Sequence, residues 1–269
     1  MEPKVVTVVS EKGGVGKTVI SYGLSLAGLL RGLRVVAVDL SEGALTQTLG
    51  HVIGQPHVGD ALLSPRRASS FVRPVRWAMP GPAPRGTLGV IGADPRLNID
   101  LMSLDDLRAA MADLRMTADL VVIDNPPVCG NLGLIGLSVS MRAADRIVVV
   151  TDPDLQSIRL TGKTLGLALD AGVLDRVAGV VVCNARRPMT RVTRGVLDGL
   201  ANSRLSFPTV VWNRAEWQAA RTGEVFKSLS PDLCALAEAL LDEVMGGWRC
   251  NPAARLAYAN LEPRVKEAV

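Results

Sequence analysis

The apolar positions of this chain fall into short, nearly unbroken runs separated by stretches of helical period. Residues 5–10 and 34–40 are β-branched and apolar without polar alternation, the pattern of strands buried on both faces. Between them, residues 17–31 carry apolar side chains at helical spacing and stop at Gly32, a residue suited to the turn that ends a helix. Strand, glycine-rich turn, helix and strand thus follow one another within residues 5–40. That order implies parallel neighbours and a right-handed crossover.

The alternation continues. It predicts strands at 87–91, 119–124, 146–151 and 177–184, and helices at 103–115, 156–171, 190–202 and 231–245. A short strand at 209–212 and a helical segment at 214–222 complete it. The expected fold class is α/β: a single doubly wound, mostly parallel β-sheet flanked by helices. Residues 54–87 interrupt the pattern. Pro56, Pro65, Pro74, Pro80, Pro82 and Pro84 break it, and Arg66, Arg67, Arg73, Arg76 and Arg85 make it basic. The stretch reads as a short helix plus exposed loop, an irregular insertion and not a linker, because strands of the same pattern flank it. Residues 1–269 therefore read as one domain, with no internal repeat.

Composition narrows the picture a little. Few aromatics (3%) in a chain that is 48% apolar fit packed helices on buried parallel strands better than a β-sandwich. A net charge of +4 permits DNA or anionic lipid as partner and requires neither. Cys129, Cys183, Cys234 and Cys250 form no CxxC pair, so neither a zinc site nor a disulfide framework is expected. His51 and His57 lie in a loop-like stretch without clustered ligands. The chain runs straight into a strand with no leader pattern, and no apolar run reaches the roughly 18 residues of a membrane span. The expectation is a cytoplasmic protein.

The chemistry concentrates in Glu11-Lys12-Gly13-Gly14-Val15-Gly16-Lys17-Thr18. Gly13, Gly14 and Gly16 let backbone N–H groups, that of Val15 among them, close on phosphate oxygens with no Cβ in the way. The helix beginning near Lys17 aims its positive dipole end at the same place. Lys17 supplies a point charge for β- and γ-phosphates, and the Thr18 hydroxyl suits Mg²⁺. The ordinary phosphate-loop pattern wants glycine where Glu11 stands, and an extra lysine, Lys12, precedes the two glycines.

That KGGxGK[ST] form resembles the deviant Walker A box of the ParA/MinD superfamily of P-loop NTPases. The resemblance implies that the protein binds ATP or ADP with Mg²⁺, and that Lys12 reaches across a nucleotide-dependent homodimer to the partner's nucleotide. A second cation there would stabilise the transferring phosphoryl group, as an arginine finger does elsewhere. Asp39 ends the second strand and Asp124 the run Leu120-Val-Val-Ile-Asp124; both occupy the carboxyl ends of strands, where open α/β sheets bind ligands. Either carboxylate suits Mg²⁺ held directly or through water. Asp124-Asn125-Pro126-Pro127 looks like the family's Walker B box, and Asp39 like the first Asp of its switch I box.

There the chain departs from the pattern. Partition and Min-type members have D-x-D-P, the second Asp orienting the attacking water, whereas this chain reads Asp39-Leu40-Ser41-Glu42. Serine is not a useful base near neutral pH, though it can position a water, and Glu42 substitutes only if the loop shifts by a residue. Slow or absent hydrolysis is the expectation. Two classes stay open: an ATPase that partitions DNA or positions a cellular assembly, and a non-hydrolysing scaffold that binds nucleotide and recruits a protein partner.

The resemblance extends to residues 148–159, and it implies that Asn184 reads the adenine base; a plain strand-end turn at Asn184 is the alternative. The loop and helix at 208–226 resemble the segment that closes over the base. Arg186, Arg187, Arg191 and Arg194 crowd one stretch, either a footprint for non-specific DNA or a solvated helix face. The tail 255–269 contains Pro263 and lacks a sustained apolar face, which argues against a membrane anchor. Cys129 follows the Walker B box without a second cysteine for the bridging cluster of the iron-protein branch.

Overall fold

The computed structural model describes residues 2–54, 57–64, 67–76, 84–97, 101–128, 130–183 and 231–245. Its sheet begins with β1 (Lys4–Val9), whose valines alternate between the two faces of the sheet. Around it lie β2 (Arg34–Asp39), β3 (Arg73–Pro74), β4 (Thr87–Ile91), β5 (Leu120–Asp124), β6 (Arg146–Thr151) and β7 (Val177–Val182). The order across the sheet is β3-β4-β2-β5-β1-β6-β7. Every pair is parallel except β3 with β4. Because β5 lies between β1 and β2, the carboxyl ends of these three strands share one edge.

Both faces are covered, which is why the strands carry apolar residues without alternation. On one face, Val6, Val8, Val35 and Ala37 pack against Leu24 and Leu29 of α1 (Lys17–Leu30). Leu240, Leu241 and Val244 of the last described helix (Pro231–Met245) close the same cluster. Arg31 pairs with Glu238 and Asp242 on that helix. On the other face, Val36, Val38, Val121 and Ile123 meet Leu107, Met111 and Leu114 of α4 (Leu104–Arg115). Ile147 and Val149 meet Leu137 and Met141 of α5 (Gly130–Ala143) and Ala168 of α6 (Leu155–Asp170). Helix ends follow local chemistry: Ser103 caps α4 by accepting from Asp105 N at 3.2 Å, and Asp154 caps α6 by accepting from Ser157 N at 2.9 Å.

The architecture is the expected doubly wound α/β sheet, and the strands at 87–91 and 146–151 begin and end where the apolar runs do. Three features differ. Helix α5 carries Gly130, Gly133 and Gly136, which hide a helical period, and burial of Leu137 and Met141 against the sheet overrides that poor propensity. A short helix not expected, α2 (Ala44–Thr48), follows β2, while α3 (Val58–Leu63) is the short helix expected in the insertion. The insertion is more than helix plus loop: Arg73 and Pro74 pair antiparallel with Val90 and Gly89. Proline is tolerated there because β3 is an edge strand. The elements expected at 190–202, 209–212 and 214–222 lie outside the described residues.

Gly86, ahead of β4, is pinned between backbones: a Cβ on it would lie 2.5 Å from the carbonyl oxygens of both Leu29 and Leu33. Gly86→Ala is therefore expected to cost about 1–3 kcal/mol of stability in urea unfolding. It lies at the amino end of the sheet, so ligand affinity at the opposite edge should stay unchanged.

Candidate nucleotide site

The loop between β1 and α1 turns on Gly14 (φ 75°) and Gly16 (φ 111°), conformations that side chains disfavour. Val15 is the loop's anchor: its side chain is buried in the core, which leaves its backbone to face outward. Val128 N donates to Glu11 O at 3.1 Å, and a Cβ on Gly13 would sit 3.4 Å from Pro127, so the loop and the segment after β5 are held together. Helix α1 begins at Gly16 with no side-chain cap and no acid in its first turn. A helix of this length presents orphan N–H groups there, a ready site for an anion.

Lys17 lies in this cradle and is buried, its Nζ donating to the Lys12 carbonyl at 3.1 Å. Burial pulls its ammonium down to about 8, against the attraction of Asp124. With one carbonyl as its hydrogen-bond partner and Asp124 as its nearby acid, this buried cation is only partly compensated, and a polyphosphate would complete the compensation.

Asp39 and Asp124 are register partners on β2 and β5, and both are fully buried. Asp124 accepts from Thr18 Oγ1 at 2.8 Å and from Ser21 Oγ at 2.9 Å. Burial first, and the neighbouring Asp39 carboxylate second, push the Asp124 carboxyl up to about 7. Hydroxyl and carboxylate oxygens at one point, under mutual repulsion between two acids, form a donor set that a hard divalent cation relieves. Asp39 is also the centre of its own loop. Its Oδ1 accepts from Ser41 N (2.9 Å) and Ser41 Oγ (2.6 Å), its Oδ2 from Thr46 N (2.8 Å) and Thr46 Oγ1 (2.6 Å). Ser41 thus spends its hydroxyl on Asp39, and Glu42 is exposed.

Lys12 is held within its own chain by Asp152 at 3.1 Å and by a closer contact with Asp154. Burial works against its charge, but the hydrogen bonds to Asp154 and Asp152 outweigh that and raise its pKa. The structure therefore gathers Lys12, Gly13, Gly14, Val15, Gly16, Lys17, Thr18, Asp39 and Asp124 at one edge of the sheet. Asn184, Arg186, Arg187, Arg191 and Arg194 lie outside the described residues, as does Cys129. Sequence reasoning missed Ser21, Thr46, Asp152 and Asp154. Ser21 is legible as a hydroxyl one helical turn after Thr18; nothing in the pattern singles out Thr46.

Comparison with known proteins bears on the family and on the fold. A family model described as an AAA domain matches residues 3–164. The chain is 26% identical over 186 residues to the septum site-determining protein MinD of Thermotoga maritima, covering 66% of this chain and 63% of that protein. It is 31% identical over 144 residues to the chromosome-partitioning ATPase Soj of Treponema pallidum, covering 51% and 54%. Each match spans less than two thirds of the relative's length. Among solved structures, the ATP complex of a Cyanothece McdA variant superposes with a TM-score of 0.70 at 20% identity, over 91% of this chain and 97% of that one. The last likeness concerns the fold.

The raised Asp124 fixes a pH dependence. In the ligand-free protein the native state keeps a proton up to about pH 7 that the unfolded chain releases near 3.8, so this group makes stability fall as pH rises between them. Asp124→Asn removes that titration. The melting temperature of the variant minus that of the wild type should therefore grow from about pH 4 to about pH 7. A constant difference across that window would contradict the assignment.

Proposed function

Because the chain belongs to the ParA/MinD-like family of P-loop NTPases, we propose that it binds ATP with Mg²⁺ and is switched by it into a homodimer. The observation that carries this reading is the convergence of the uncapped α1 N-terminus, buried Lys17 and the Thr18–Asp124 pair at one edge. Backbone N–H groups of residues 13–18 hold the phosphates, Lys17 neutralises them, and Thr18 with Asp124 holds Mg²⁺. Asp39 joins that metal site through water once one of its four hydrogen bonds is exchanged. Lys12 leaves Asp152 and Asp154 for the partner's nucleotide. Asn184 reads the base. The described residues contain no helix long and apolar enough to cross a membrane.

The relatives set the biological class: MinD determines the septum site and Soj partitions chromosomes. We assign this protein to the same class, a single-domain switch that positions DNA or a cellular assembly, with an unidentified protein as cargo or activator. Its place of action is the cytoplasm. The arginines from Arg186 to Arg194 supply a sequence-independent grip on duplex DNA. Ser41 favours a second reading, a clamp with little turnover. A serine hydroxyl committed to Asp39 neither takes a proton nor orients a water.

Two measurements test this. Lys17→Ala should abolish Mg-ATP binding in calorimetry. Lys12→Ala should bind ATP yet stay monomeric in light scattering, and an ATP-induced dimer of that variant would exclude the crossing role. For hydrolysis, wild-type turnover should be slow and Ser41→Asp should raise it about tenfold or more, the usual contribution of one positioned acid–base group being at least that. Rapid wild-type turnover that duplex DNA stimulates would instead establish the partition engine.

A further inference from the structure

A second concave site lies at the carboxyl end of β4, away from the phosphate loop. It encloses about 720 Å³ between α3, the 3₁₀ turn Ala68–Phe71 and the start of α4. That volume is in the range of a specific binding site. Its mouth is apolar: Leu63 is 76% exposed and Leu101 83%, with Phe71, Leu97 and Met102 behind them. Large apolar side chains left this open beside a cavity mark a contact surface. Its polar side is acidic. Asp94 is engaged by Arg96 at 3.2 Å and by His57 at 3.1 Å, and the same His57 also meets Asp60 at 3.0 Å, so among the described lining residues three carboxylates, with Asp106 exposed, share one arginine and one histidine.

The floor of this groove connects to the nucleotide edge. Ala93 N donates to Thr46 Oγ1 at 2.9 Å, and the same hydroxyl donates to Asp39 at 2.6 Å. Asp94, the next residue, lines the groove, and a Cβ on Gly59 would fall 2.2 Å from its carboxylate. Helix α3 therefore cannot shift against Asp94 without disturbing the segment that positions Thr46 and, through it, Asp39.

We infer that this groove docks a short segment of a partner protein that carries a lysine or arginine flanked by bulky apolar side chains. The cation lies near Asp60 and Asp106, and the apolar residues cover Leu63 and Leu101. The occupied groove is sensed at Asp39 through Thr46. The docking itself does not depend on ATP binding; only the sensing rests on the nucleotide reading above.

The test selects a displayed library of random dodecapeptides on the full chain without nucleotide, with counter-selection on Leu101→Ser/Asp106→Lys. Both substituted residues are exposed, and an unchanged melting temperature confirms that the variant folds. Enriched peptides should carry a Lys or Arg beside Leu, Ile or Phe, and should bind the double variant at least about tenfold more weakly by fluorescence anisotropy, as loss of a hot-spot contact requires. Leu63→Ser should weaken them too. Acidic consensus peptides, or peptides indifferent to these substitutions, overturn the proposal. So does a wild-type oligomer that the double variant dissolves without nucleotide, since a second copy would then fill the groove. Saturating peptide should shift Mg-ATP affinity about threefold or more, and an unchanged affinity overturns the coupling to Asp39. If peptides bind and ATP does not, the nucleotide reading fails while the groove stands.

Discussion

Two carboxylates, Asp39 and Asp124, sit side by side at the ends of adjacent strands, both fully buried. Such a pair is costly in a folded protein, because each charge disfavours the other and burial disfavours both. The surroundings offset the cost with donors. Thr18 and Ser21 serve Asp124, while Ser41 and Thr46 serve Asp39. The residues that satisfy the acids come from the start of α1 and from the loop after β2 with α2.

Lys17 completes the constraint from the other side. A buried ammonium 3.1 Å from a carbonyl, near a carboxyl whose pKa is raised to about 7, makes an arrangement only partly neutralised in the ligand-free protein. A polyphosphate and a divalent cation would settle both groups at once. An anion alone would satisfy Lys17 and worsen the repulsion on the acids, and a cation alone would do the reverse. The geometry therefore favours the metal–nucleotide pair over either component, whatever follows in catalysis.

Most of this was legible in the chain. The phosphate loop, Asp39 and Asp124 stand at the ends of continuous apolar runs, and continuous runs are what buried parallel strands require. What escaped reading was long-range or non-periodic. Three glycines disguised α5, which only packing makes a helix. Edge strand β3 is two residues long and contains a proline, so no local pattern marks it. Thr46 sits in the short helix α2, placed against Asp39 and Ala93 only by the fold, and Asp152 and Asp154 meet Lys12 across more than a hundred residues. The second groove was invisible for the same reason, since residues 57–64 and Phe71 meet residues 94–97 and 101–106 only in the folded chain.

The contact between Lys12 and its two aspartates bears on how readily the proposed dimer forms. Side-chain exposures of 29% for Lys12 and 33% for Asp154 leave that contact half-exposed, close to a surface ion pair that contributes about 0–1 kcal/mol, while Asp152, at 9%, adds a second and more buried contact. Hydrogen bonds between an ammonium and phosphate oxygens in a closed interface contribute about 1.5–3 kcal/mol each. Exchanging the first for the second is downhill once a partner's nucleotide is present, and unfavourable without it. In the proposed dimer, the internal contacts would hold Lys12 in its own chain until a partner's nucleotide offers the stronger bonds. A deeply buried pair would have blocked the exchange, and an unpaired lysine would have repelled Lys17.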